Sequence, residues 1–264
     1  MICREGLHGK SDFMELVKDM EHRTFKKELT FSVIWIVIYF ILIILANVLS
    51  DYVVKIPNSV NAFVEILFPT VVIVYLKKKG LLSYYGINSL KHLNFKNLLF
   101  CVPMIVIAVL NLGFGIHINY SRQQLLLFSA AMLGMGFSEE ILFRSFLIKA
   151  LMNKNTKIAV FAPSIIFGVI RLTNLFGGAN LIQTLLQVIY AVSFALMCSL
   201  FFIKTNNIIP CMICHSITNI TNSFLPDDLS IAYQCIKCIA FIIPSSFYAL
   251  FIYKTNKALT KNIS

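Results

Sequence analysis

The sequence predicts an all-α, polytopic membrane helix bundle of about eight transmembrane helices, and three observations carry that prediction. The 264 residues are 58% hydrophobic with 23 Phe, and the mean hydropathy is +0.79, against an apolar share of roughly 45–50% in soluble domains. Apolar runs suited to a hydrocarbon core of about 30 Å recur at 31–49, 60–76, 97–116, 124–148, 157–171, 181–203, 208–223 and 230–252; the fifth and seventh are short. The charged residues gather between the runs, and they do so asymmetrically.

The first run, FSVIWIVIYFILIILANVL, follows a largely polar segment of thirty residues, is too long for a signal-peptide core and precedes no small-residue cleavage signature, so it reads as an uncleaved first span. Residues 1–30 hold six basic and six acidic side chains. Within them Phe13, Leu16, Val17 and Met20 follow Ser11 at i, i+3, i+4, i+7 spacing, which predicts a short amphipathic helix before the membrane. Its two readings are an ordinary juxtamembrane helix and a surface anchor or partner helix. The chain thus divides into a cytosolic amphipathic segment, 1–30, and a multi-pass membrane domain, 31–264, in the cell membrane.

Orientation follows from the basic residues, because Lys and Arg in short loops favour the cytoplasmic side. With eight spans and both termini inside, the inner segments collect the basic residues of 1–30, then Lys77, Lys78, Lys79, Lys91 and Lys96, then Lys149, Lys154 and Lys157, then Lys204, then Lys254, Lys257 and Lys261. The outer loops keep Lys55, Arg122, Asp51, Asp227 and Asp228. The formal net charge of +11 therefore describes an inner rim facing anionic membrane lipids, and nucleic acid is not needed as a partner. Two CxxC pairs, Cys211/Cys214 and Cys235/Cys238, lie in or beside apolar runs. Thiolate sites need polar surroundings, so these cysteines read as packing residues, with no cofactor and no metal.

An ionisable group at the centre of a membrane helix costs about 2.5–3.5 kcal/mol on insertion scales, so such groups face the bundle interior and pair or work. The candidates are Glu65, Glu139, Glu140, Arg144, Arg171, His215 and Lys237. At about 100° per residue, Glu140 and Arg144 are i, i+4 neighbours on one face while Glu139 points about a quarter turn away. Arg144 can then neutralise Glu140, leaving Glu139 free to face a cavity as a general base; the alternative is one structural charge cluster. His215 and Asn219 also stand at i, i+4, presenting two donors suited to a developing oxyanion. By the assigned topology Glu139 lies ~13 Å and His215 ~10 Å from the cytoplasmic ends of their helices at the helical rise, so the two sets can meet at similar depth in the cytoplasmic half.

These residues resemble the CPBP (CAAX protease and bacteriocin-processing, or Abi) intramembrane endopeptidases, which are similar to type II CAAX prenyl endopeptidases. The resemblance covers about 120–225. Its EExxxR motif stands at Glu139-Glu140-Ile141-Leu142-Phe143-Arg144 and its HxxxN motif at His215-Ser216-Ile217-Thr218-Asn219. It implies an eight-helix bundle with a cavity toward the cytosol, Glu139 as activator of the attacking water with Glu140 beside it, and His215 and Asn219 as oxyanion donors. The implied partner is a peptide or membrane-protein substrate.

The middle motif departs from the family pattern. Where FxxxH is expected, the chain has Phe167-Gly168-Val169-Ile170-Arg171. Arginine stays protonated and offers no acceptor, so Arg171 is neither base nor metal ligand; beside Glu139 it also opposes the shift a general base needs. The substitution points to a slow or inactive enzyme, unless Glu139 acts alone or Arg171 lies outside the pocket. The readings are therefore an intramembrane glutamate-type endopeptidase and, as the alternative, an inactive scaffold of the same fold serving bacteriocin self-immunity or binding a bacteriocin-related or regulatory partner. A transporter would call for matched broken helices in two halves, and no such repeat is evident.

Overall fold

The computed structural model describes residues 25–90, 93, 99–117, 121–152, 154–225 and 230–255. The predicted amphipathic helix, His8, His22 and His92 lie outside them. Each of the eight apolar runs coincides with a helix: α1 Phe25–Val54, α2 Ser59–Lys78, α3 Cys101–Phe114, α4 Arg122–Met152, α5 Thr156–Gly177, α6 Leu181–Thr205 and α8 Ile231–Thr255, with α7 at Ile209–Asn222. Six of them, α1, α2, α4, α5, α6 and α8, are long and apolar enough to span a membrane. The chain is a multi-pass helical membrane protein.

Four expectations of extent change. α3 is shorter than the run 97–116 that predicts it, and α7 has 14 residues, below the roughly 20 that a full span takes. α1 starts at Phe25, inside the segment assigned to the cytosol, because the helix continues through KKELT without a breaker. α5 outlasts its apolar run by continuing as a 3₁₀ helix over Arg171–Gly177.

The ends are set locally. Ser121 and Gln124 form a reciprocal capping box at the start of α4, and the side chains of Asn155 and Asn180 accept from the first free N–H groups of α5 and α6. Gly178 takes a positive φ of 85° where α5 stops, a conformation cheap only for glycine. Apolar side chains such as Ile34, Ile41, Ile44, Phe247 and Leu250 are exposed while Glu65, Glu139, Glu140, Arg144 and His215 are buried, the inverted distribution expected when lipid is the solvent.

α6 packs against α5 and α8, and α4 lies against α2 on one side and α7 on the other. Two glycines set the second arrangement. A Cβ on Gly134 would meet the backbone of Glu65 on α2, and one on Gly136 would meet Ser216 on α7, so the helices approach as small residues allow. Ser216 Oγ then donates to Leu133 O at 2.9 Å. Gly136→Val is expected to force α7 away from α4 and destabilise the bundle by about 1–3 kcal/mol, the usual cost of overpacking, read as a lowered unfolding temperature in detergent. An unchanged temperature would mean that the contact is not tight.

The lysine-bearing connections meet at one end. Lys149 Nζ donates to Asn206 Oδ1 at 2.7 Å, Lys204 Nζ to Thr255 Oγ1 at 2.6 Å, and Asn88 Nδ2 to Asn206 O at 2.9 Å. At the other end His117 N donates to Phe224 O at 2.6 Å, joining the exits of α3 and α7.

Candidate active site

Glu139 and Glu140 end the first α-helical part of α4; from Ile141 to Leu147 the helix widens into a π-helical stretch before α-helix resumes at Ile148–Met152, a local feature that recurs at functional sites. The wider turn changes the angular phase, yet the predicted pair forms: Arg144 Nε lies 3.3 Å from Glu140 Oε2, both side chains fully buried. The guanidinium nitrogens make no well-directed hydrogen bond among the described residues. Its solvation comes from the Glu140 charge and from the ring of Phe167, over which Arg144 Cζ stands at 4.2 Å.

α7 brings His215 to both glutamates. Its Nδ1 lies 2.9 Å from Glu140 Oε1 and its Nε2 3.5 Å from Glu139 Oε2. The Nδ1 contact with Glu140 fixes the orientation of the ring, as second partners of functional histidines do. Phe167 and Phe194 flank the imidazole, with centroids 5.5 and 5.4 Å away.

The free carboxylate expected at Glu139 is not found. Arg171, the first residue of the 3₁₀ turn ending α5, reaches it with Nη2 2.5 Å from Oε2, and its Cζ stands 4.6 Å from the centroid of the Phe167 ring. The idea that Arg171 stands outside the pocket is corrected as well, since it lines a cavity of about 60 Å³ together with His215, Asn219, Asn111 and Tyr190. That volume admits a few waters. Asn219 joins the site from one turn beyond His215, and its Nδ2 has no partner among the described residues.

Sequence reasoning missed two contributors. Asn111, 1% exposed, donates through Nδ2 to Thr218 O and Thr221 Oγ1, each at 3.2 Å, and its Oδ1 is left unpartnered among the described residues; an asparagine inside an apolar run was the available signal. Tyr39 donates to Glu65 Oε1 at 2.9 Å, holding α1 to α2. Glu65 was visible as a charge in a span, but nothing in an apolar run marks Tyr39 as its partner.

Ligand-type atoms of Glu140, Cys198 and Cys211 converge within 4.8 Å. Glu140 is already engaged by His215 and Arg144, and Cys211 Sγ donates to Cys198 O at 3.6 Å. Two of the three ligand atoms, those of Glu140 and Cys211, are thus already engaged elsewhere, and neither CxxC pair supplies two of the three.

The cavity opens away from the lysine-rich end. Its outer wall is Gln187 and Tyr190 in the first half of α6, Asn222 at the end of α7 and Lys237 in the first half of α8. These four also line an adjoining cavity of about 240 Å³ that reaches Ala179 and Gln183. The resemblance implied a cavity toward the cytosol and the charge rule puts the lysines there; this geometry allows only one of the two.

Fold and site together define a helical membrane protein with a buried cluster of carboxylate, imidazole and guanidinium groups on three helices. Residues 121–221 match the Rce1-like family model, described as type II CAAX prenyl endopeptidase Rce1-like; the match bears out the family resemblance of the EExxxR and HxxxN motifs and spans less than half of the chain. Nothing among the curated proteins or the solved structures matches.

Proposed function

We propose that the chain is an intramembrane endopeptidase of the CAAX-protease type in which Glu139 activates water and Arg171 restrains it. The observation that carries this reading is that His215 and Asn219 line one small polar cavity while Glu139 Oε2 stands 3.5 Å from His215 Nε2. Water in the cavity attacks the peptide carbonyl carbon, Glu139 takes its proton, and the oxyanion accepts from Asn219 Nδ2 and His215; collapse expels the amine, which takes the proton from Glu139. Glu140 orients His215, Arg144 balances Glu140, and the ring of Phe167 lies against both guanidinium groups.

The Glu139–Arg171 contact supports a second reading, an inactive scaffold that binds a partner, including one in bacteriocin self-immunity. An ion pair at 2.5 Å occupies the base that hydrolysis needs. The readings separate in one experiment: the purified protein is incubated with a library of peptides and membrane segments beside Glu139→Gln. The endopeptidase cleaves, and the variant loses about 10²–10⁴-fold in rate; cleavage by both at equal rate rejects the role of Glu139, and silence of the native chain toward the whole library favours the scaffold.

We infer further that both termini and the lysine-bearing end are cytoplasmic, so the cavity mouth faces the opposite side of the membrane. With native cysteines replaced by serine, Gln183→Cys is expected to react with a membrane-impermeant thiol reagent in intact cells. Labelling that needs permeabilised cells would reverse the orientation.

A further inference from the structure

A second, larger cavity lies at the lysine-bearing end, between α5, α6 and α8, with a volume of about 830 Å³. Val160 and Phe161 of α5, Leu196 and Leu200 of α6 and Leu250 of α8 form its walls. None of the residues assigned to catalysis lines it.

Its chemistry selects an occupant. Of the four hydroxyl-bearing residues that line it, Thr156, Ser193, Ser246 and Tyr253, Ser193 and Ser246 bond each other at 2.9 Å, and Ser193 also reaches Ile242 O at 3.4 Å. A peptide in the groove would bring backbone N–H and C=O groups that find few partners there, a costly state at membrane depth. An acyl chain brings none. The rim is cationic: Lys154 and Lys157 both line it and both are exposed, and neither forms an ion pair with a carboxylate among the described residues. The Lys154 ammonium stands 5.2 Å from the ring of Phe25, which leaves its charge available. The first N–H groups of α5 are already taken by Asn155 Oδ1, at 2.8 and 3.2 Å, so side-chain ammonium groups, not the helix terminus, would meet an anion.

We propose that this groove is a binding site for one anionic phospholipid, with an acyl chain between α5, α6 and α8 and the phosphate between Lys154 and Lys157. Leaving the bilayer for the groove exchanges one apolar environment for another, so the chain contributes confinement and little selectivity. The head group supplies the selectivity. At about 1 kcal/mol for each basic residue close to anionic lipid, two lysines give a preference on the order of thirtyfold over a zwitterionic lipid with the same chains.

The test is native mass spectrometry of the full chain in detergent doped with phosphatidylglycerol or with phosphatidylcholine of identical chains. The expected result is retention of one phosphatidylglycerol with on the order of thirtyfold preference, a preference that falls toward one in Lys154→Gln/Lys157→Gln. Ala249→Phe, which fills the groove, is expected to abolish retention of either lipid, with thermal unfolding used to check that the variants are folded. Glycerol phosphate without chains is expected not to compete. Equal retention of both lipids, a preference that survives the double substitution, displacement by glycerol phosphate alone, or no retained lipid in the native chain would each overturn the proposal; the last is the result expected if residues 1–24 or 256–264 fill the groove.

Discussion

Replacing Arg171 with histidine is expected to raise the rate of peptide-bond cleavage by about 10²-fold, the lower part of the range for a general base brought into play. In the native chain the guanidinium lies 2.5 Å from Glu139 Oε2 and keeps its charge at any accessible pH, so the carboxylate that should take a proton from water is engaged by a permanent cation. Histidine at the same place on α5 is shorter and can be neutral, offering an acceptor and a donor for the water instead. The measurement is the initial rate on the best substrate of the library, native against Arg171→His. A variant no faster than the native chain would mean that Arg171 does not restrain Glu139.

Arg144→Met carries the largest expected effect on stability. The side chain is fully buried and its charge answers that of Glu140, also fully buried, so removing it leaves a carboxylate with His215 as its remaining partner. Breaking one side of a buried pair costs about 3–5 kcal/mol, and methionine conserves most of the volume that packs on Phe167, which confines the loss to the charge. Thermal unfolding in detergent is expected to fall accordingly, and Glu140→Gln/Arg144→Met is expected to regain part of the loss, because the uncompensated charge is gone. Full native stability in Arg144→Met would show that the pair is dispensable.

The helices were legible because lipid demands long apolar runs and leaves few places for charge; eight runs gave eight helices, with errors confined to ends. α1 and α5 run past their apolar segments because KKELT and RLTNLF contain no Gly or Pro, and hydropathy records solvent preference and not helix continuation. Within one helix, spacing also sufficed: Glu140 with Arg144 and His215 with Asn219 are fixed by the turn of the backbone. What spacing cannot give is the rotation of one helix against another. The bond of His215 to Glu140 depends on how closely α4 and α7 approach, which Gly136 sets, while the Tyr39–Glu65 bond depends on α1 against α2 and the placement of Asn111 on α3 against α7. The same limit explains why Glu139 read as free. Its position on α4 was right for the site, but its partner Arg171 arrives from the 3₁₀ end of α5, 32 residues away in the chain.

The direction of the cavity belongs to the same lesson. Charge counts placed the lysines at one end, and the family resemblance placed the mouth at that end too; only the packing of α6, α7 and α8 puts Gln187, Asn222 and Lys237 around the mouth at the other.

The most direct measurement is the cleavage rate of Arg171→His beside Arg171→His/Glu139→Gln on the same peptide, since the first substitution lifts the restraint and the second removes the base. Cleavage by the single variant that falls about 10²–10⁴-fold in the double variant is the result predicted here, and cleavage that persists undiminished without the Glu139 carboxylate would contradict it.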